Sequence, residues 1–212
     1  MIDKIYVLHH KDFTKRKEFI ENRLKEEDIE FEFVENFLPE EIDYEKELEN
    51  WENFPKIDVM HPYGVYANFS KKISAGSLSL VLKHLWCFKE QIKHNYENIL
   101  ILEDDANIPP SFKNLLYKIM VEFKESDSEM VMVGTSHHFQ SKNITPGRIV
   151  HDGPNQKTRC THAYIINISI TQKLIDGFNI INLPIDFKLN EIIQLEDIKV
   201  AWVEPGITQK IF

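Results

Sequence analysis

Two cysteines, Cys87 and Cys160, are too few to staple a chain of 212 residues, so no disulfide framework organises this protein. Cys87 sits in an apolar helical pattern and reads as a small buried residue. Long apolar runs are missing too. The opening MIDKIYVLHH returns to charge too soon for a secretory leader, and no stretch approaches the roughly 20 apolar residues of a membrane span. We therefore expect a cytoplasmic protein without a transmembrane segment. Basic charge is scarce as well: 25 Lys and Arg stand against 34 Asp and Glu, a net charge of −9. Phosphate-rich surfaces demand the opposite sign, which argues against nucleic acid and anionic membranes as partners.

What is present suffices for a core. Hydrophobic residues make up 42% and aromatic residues 11%, too apolar for a disordered chain. The length, about 1.4 times a typical domain, favours one domain over residues 1–212. No internal repeat is visible, and the one biased tract is acidic. Residues 26–52 hold thirteen acids and a single base, Lys46, so that tract carries −12 and the remainder is +3. We expect it to be a solvated surface stretch that takes no part in the site.

Periodicity divides the rest into alternating elements. Strands are predicted at Lys4–Leu8, Glu30–Val34, Asn98–Leu102, Met130–Val133, Ala163–Ile166 and Lys199–Val203. A helix is expected over Lys15–Glu26 with Thr14 as its cap, and another over Ser77–His94 on the spacing of Leu78, Val81, Leu82 and Leu85. Pro109 and Pro110 should open a helix running to Phe123. Ser169 with Gln172 suggests a capping box for a helix that Gly177 ends, and Pro184–Leu195 suggests one more. Residues 36–75 and 137–158 read as largely irregular, and within them 53–75 and 137–158 are candidate lids. Apolar strands alternating with helices predict an α/β fold with a mainly parallel sheet covered on both faces.

In such sheets ligands bind beyond the carboxyl ends of the strands. The run NILIL ends there in Glu103-Asp104-Asp105. If the strand's alternation continues, Glu103 and Asp105 point to one side, roughly 6.5–7 Å apart. Like charges so placed repel unless a cation lies near, and hard oxygen ligands suit Mg²⁺ or Mn²⁺, which complete their shells with phosphate oxygens and water. A solvated acidic turn explains the same residues equally well. His84, set between Leu82 and Leu85, reads as a satisfied, partly buried histidine, and Asp186 as a helix cap.

The serial order of further segments adds to this. Ile5–Leu8, Arg16-Lys17, Leu82-Lys83-His84-Leu85, Ile99–Asp105, Thr161-His162-Ala163-Tyr164, Leu183-Pro184-Ile185-Asp186, Val203-Glu204-Pro205 and Gln209 resemble glycosyltransferase family 25. That family includes the lipooligosaccharide β-galactosyltransferases and their collagen-modifying relatives. The resemblance spans nearly the whole chain, and LEDD and THAY are its most specific blocks. It implies a GT-A type fold with a Rossmann-like sheet flanked by helices, a nucleoside-diphosphate sugar donor such as a UDP-hexose, Mn²⁺ or Mg²⁺, and inversion at the anomeric carbon. The acceptor it implies is a glycan, a lipid-linked saccharide or a protein hydroxyl. Carried across, the metal falls on Asp105 and Glu103, while Glu103 and Asp104 also face the nucleotide. Leu8, His9, Arg16, Lys17, His84, Thr161, His162 and Tyr164 match nucleotide-sugar positions, and Asp186 matches the aspartate that would take the acceptor's proton. Among the departures, His9 stands where Asn is usual, Lys11 and Asp12 replace an acid-then-Arg order, and Ser79 and Lys83 occupy positions where Gly and Ser are common. Two further readings stay open: a non-catalytic nucleotide-sugar or glycan binder, and a metal-dependent phosphohydrolase.

Overall fold

A computed structural model describes residues 1–48, 58–60, 66–68, 73–134, 146–152, 161–204, 206 and 208. Its strands are β1 (Lys4–Leu8), β2 (Glu32–Val34), β3 (Asp58–Met60), β4 (Tyr66–Asn68), β5 (Asn98–Glu103), β6 (Met130–Gly134), β7 (Val150–Asp152), β8 (Ala163–Asn167) and β9 (Val200–Val203). Its helices are α1 (Thr14–Glu26), α2 (Tyr44–Glu47), α3 (Ala75–His94), α4 (Phe112–Lys124), α5 (Ile168–Gly177) and α6 (Ile185–Leu195). Seven strands form one sheet in the order β2-β1-β5-β8-β6-β9-β7, and β3 pairs antiparallel with β4.

Alternation along each strand divides the core between the two faces of this sheet. Tyr6, Leu8, Ile99, Ile101, Met130 and Met132 pack with α3, α5 and α6 on one side. Ile5, Val7, Leu100, Leu102, Val131 and Val133 pack with α1 and α4 on the other. Helices on both faces explain why these strands carry continuous apolar runs, Ile5–Leu8, Ile99–Leu102 and Met130–Val133, as expected of a doubly covered sheet. The expected α/β architecture, GT-A type with a Rossmann-like sheet, is what the chain adopts.

Five strands (β2, β1, β5, β6 and β9) share one direction, while β8 and the edge strand β7 oppose it. The reversal of β8, paired antiparallel to both β5 and β6, decides where the THAY block goes. A parallel strand would start at the amino edge of the sheet. Because β8 runs backwards, Thr161 and His162 enter it at the edge where β5 and β6 end.

Several local expectations are corrected by packing. Thr14 does not cap α1: Phe13 is the cap residue, its carbonyl accepting from the backbone N–H groups of Arg16 and Lys17, and no side chain caps. The cap of α5 is Asn167, whose side chain accepts from the Ser169 backbone, so the capping box at Ser169 is displaced by two residues. Pro109 and Pro110 precede α4 rather than opening it. Its first N–H groups are met by Glu27, the residue that closes α1, whose carboxylate accepts from the backbone of Ser111 at 2.7 Å and of Lys113 at 3.3 Å. A negative group there also suits the helix dipole.

The supposed loop 137–158 contains β7, an edge strand on β9. Its entry is fixed by Glu122, whose side chain accepts from the backbone of Ile149 and Val150. Of the two candidate lids, the described parts of 53–75 include the β3–β4 pair, and 135–145 and 153–160 lie outside the described residues, as does Gln209. No helix among the described residues is long and apolar enough to cross a membrane.

Candidate active site

β1 and β5 lie side by side in parallel with Leu8 opposite Glu103, so both strands release their chains at the same edge. The chain leaves β5 in a turn closed by the Ala106 N–H on the Glu103 carbonyl, 3.0 Å. The expected continuation of strand alternation to Asp105 therefore stops at Glu103. The turn, and not the pleat, sets where the three acids point, and all three line one cavity of about 400 Å³.

Around that cavity the charges are already matched. The Asp104 backbone N–H donates to the Leu8 carbonyl at 3.1 Å, which ties the acidic turn to the end of β1. His9 Nδ1 lies 2.7 Å from Asp104 Oδ2, and since a carboxylate only accepts, that ring nitrogen carries the proton. Arg16, in the first turn of α1, donates to Asp104 Oδ1 at 3.2 Å and stands 3.6 Å from Asp105 Oδ2. Its guanidinium also lies over the Phe13 ring. His9, Asp104 and Asp105 are buried, so these contacts are shielded from bulk water.

Glu103 has different company. Thr161 Oγ1 donates to its Oε1 at 2.7 Å, and His84 Nε2 is 3.9 Å from the same oxygen. His84 is wholly buried, and burial lowers its pKa to about 3, so the ring is neutral near pH 7. Its Nδ1 lies 2.7 Å from the Tyr164 hydroxyl, whose pKa burial pushes well up. His84 and Tyr164 back the Glu103 side chain and line neither cavity of the cleft.

A second cavity, about 170 Å³, opens beside the first. Thr161, His162 and Asp186 line it, and Glu103 and Leu80 border both cavities. The two are lobes of one cleft that meet at Glu103. The first turn of α3 touches both, Gly76 in the larger lobe and Ser77 in the smaller, so the positive end of a 20-residue helix faces the cleft. Asp186 lies in the first turn of α6, where Pro184 holds the cap position, so it is not the cap. Its Oδ1 accepts from the Phe187 backbone at 3.0 Å. His162 is fully buried and bonds the Thr208 carbonyl at 3.2 Å.

Leu8, His9, Arg16, Glu103, Asp104, Asp105, Thr161, His162 and Asp186 are thus brought together. Lys17 is not: it pairs with Glu35 at 2.7 Å over the Phe33 ring, outside the cleft lining. The acidic tract is also less detached than expected, since Pro39 lines the larger lobe and Glu35 stands 4.0 Å from His9. Elsewhere its carboxylates meet bases, Glu32 on Lys4 and Glu40 on Lys11. Sequence reasoning passed over Gly76, Ser79, Leu80 and Lys83 as site residues. Their spacing, one helical face at i, i+3, i+4 and i+7, was the available signal.

For a divalent cation the fit is limited in kind. Among the described residues no three His, Cys, Asp or Glu surround a common point. Asp104 is held by both His9 and Arg16, Glu103 accepts from Thr161 and Asp105 stands beside Arg16, so a cation would share Glu103 and Asp105 with these partners. Two carboxylates completed by phosphate oxygens and water suit Mg²⁺ or Mn²⁺, which rarely occupy all-protein cages.

A seven-stranded mixed sheet flanked by helices, with its acids at the end of β5, is a GT-A type fold. UDP-glucose pyrophosphorylase from Acinetobacter baumanii shares it, with a TM-score of 0.50 at 15% identity over 98% of this chain and 88% of that one. The sequence profile of Glycosyltransferase family 25 (LPS biosynthesis protein) matches residues 2–189, and the chain belongs to that family. Procollagen galactosyltransferase 2 of Mus musculus is 26% identical over 189 residues, and its Homo sapiens counterpart 26% over 193. Each match covers 87% of this chain and 29% of the relative, so the chain spans less than a third of their length.

Proposed function

We propose that the chain moves a hexose from a nucleoside-diphosphate sugar, a UDP-hexose, to a hydroxyl of a glycan, lipid-linked saccharide or protein, inverting the anomeric carbon. The observation that carries this reading is the two-lobed cleft joined at Glu103. The larger lobe offers Arg16 and the amino end of α3, both suited to a diphosphate. Glu103 and Asp105 would hold Mg²⁺ or Mn²⁺ there. When bound, that cation supplies charge neutralisation for the departing diphosphate.

The smaller lobe presents Asp186 to an acceptor. As the acceptor oxygen bonds the anomeric carbon, its proton passes to the Asp186 carboxylate. The carbon–oxygen bond to the diphosphate breaks, and its electron pair leaves on the phosphate oxygen. Asp186 sits in the first turn of α6, at the positive end of that helix. Leu80, Pro184 and Ile185 give this lobe apolar walls that exclude water competing for the donor.

Thermal-shift titration with UDP, CDP, GDP, ADP and their hexose conjugates, with and without Mn²⁺, should raise Tm for one nucleotide. No shift with any of them overturns the nucleotide assignment. Asp186→Asn should slow sugar transfer by roughly 10²–10⁴-fold while leaving Tm in place. Transfer at the wild-type rate would put the base elsewhere, and full donor turnover without acceptor would mark a phosphohydrolase instead.

A further inference from the structure

The β1–β2 ladder ends with the His9 N–H donating to the Val34 carbonyl at 3.1 Å, and beyond that bond the two strands part in a fork. Lys83 reaches that fork from α3. Its ammonium donates to the carbonyls of His9 at 3.0 Å, Val34 at 3.4 Å and Asn36, so all three of its protons are used. The side chain is 3% exposed, and burial lowers its pKa, opposed by the charges of Glu35 and Asp104. One turn earlier on the same helix face, Ser79 Oγ donates to the Phe37 carbonyl at 2.5 Å. Phe37 itself has φ +57°, a left-handed conformation that bulky residues adopt only when held. His9 and Pro39, at the two ends of these tethered segments, line the larger lobe with Lys83 and Ser79.

We propose that Lys83 and Ser79 are positioning residues, a polar clamp from α3 that fixes the backbone of 9–10 and 34–39 as the wall against which the donor's nucleoside diphosphate binds. The part concerning the donor rests on the reading of the larger lobe given above. Lys83 acts through the His9 carbonyl, which keeps the His9 ring on Asp104 and so keeps Arg16 and Asp104 in register. With its protons committed to carbonyls it neither ligates the donor nor exchanges protons with it. Ser79 acts through Phe37 by holding open a turn that would otherwise relax.

The test compares wild type with Lys83→Met, Lys83→Arg and Ser79→Ala. Lys83→Met keeps the stem's volume and removes the charged donors. Its Kd for UDP in Mn²⁺ should rise about tenfold or more, the size of a lost charge-assisted contact, with Lys83→Arg recovering part of this and Ser79→Ala costing about threefold. In sugar transfer, KM for UDP-hexose should rise while kcat changes little, whereas plain destabilisation would lower the active fraction and leave KM in place. Amide hydrogen exchange should quicken at 9–10 and 35–38 and stay constant in β5 and β8. UDP affinity within twofold of wild type in Lys83→Met, or unchanged exchange at 35–38, overturns the clamp. Accelerated exchange in a protein whose wild type binds no UDP would sink the donor-site reading and leave the fork as architecture only.

Discussion

The two edges of the central sheet carry cavities of contrasting kinds. At the amino edge, Ile2, Ile5, Phe31, Leu116 and Met120 line a space of about 580 Å³, larger than either lobe of the cleft. Its charged groups pair at the surface, as Lys113 does with Asp28, whose side chain is 98% exposed. At the carboxyl edge the space is smaller, yet His9, Lys83, Asp104 and Asp105 are all buried against it. Burying a charge costs several kcal/mol unless partners are supplied, and here the fold supplies them residue by residue. Volume alone would favour the amino edge. Charge held out of water favours the carboxyl edge, where the proposed site lies.

Arg16→Ala should disturb this contrast most among the binding variants. It strips Asp104 and Asp105 of their cation, and nucleoside-diphosphate affinity should fall about 10- to 100-fold by calorimetric titration. Unchanged affinity would mean that the carboxyl edge does not handle phosphate through α1.

Gly134→Ala probes how tightly that edge is packed. A Cβ at Gly134 would lie 1.9 Å from Thr208 Oγ1 and 2.5 Å from His162 Nε2. Urea unfolding should show a loss of about 1–3 kcal/mol, the usual result of overpacking. An unaltered midpoint would show that the His162–Thr208 contact yields freely.

His84 sharpens the comparison through pH. Its folded pKa of about 3 lies below its ordinary 6.5, so the unfolded chain takes up the proton first. Stability should be fully present above pH 6.5 and decline as pH falls toward 3, by up to about 1.4 kcal/mol per pH unit. Urea midpoints of wild type and His84→Gln at pH 7 and 4.5, in metal-free buffer, measure the difference. Equal slopes would refute the neutral buried ring. The smallest effect belongs to the amino edge: Lys113→Ala should shift Tm by no more than about 2 °C and leave nucleotide binding as it was, since an exposed pair contributes little. A loss of binding there would erase the distinction between the edges.

Much of this was legible in the residues. The NILIL and Met130–Val133 runs could be read as buried strands because each is short and continuously apolar, and the face of α3 because its apolar residues recur at helical spacing. The acids at 103–105 were legible as a cluster, but not their partners. His9 meets Asp104 across 95 residues and His84 meets Tyr164 across 80, and no local pattern encodes such pairings. The direction of β8 was hidden for the same reason: strand sequence reports burial, while orientation depends on neighbours. Glu27 at the start of α4 and Lys83 at the β1–β2 fork belong to this group too. Each satisfies backbone groups of a distant segment, so each looked like ordinary surface charge or an odd residue in a helix.

The pairing of β1 with β5 has a consequence for how the protein acquires its cleft. The larger lobe needs His9 and Asp104 together, and 95 residues separate them. Closing so long a loop is entropically costly, and parallel strands of high sequence separation are slow to meet. No fragment lacking either strand can assemble that lobe. In refolding, the proposed nucleotide binding should therefore return only with the arrival of a long-range contact, well after local helices have formed.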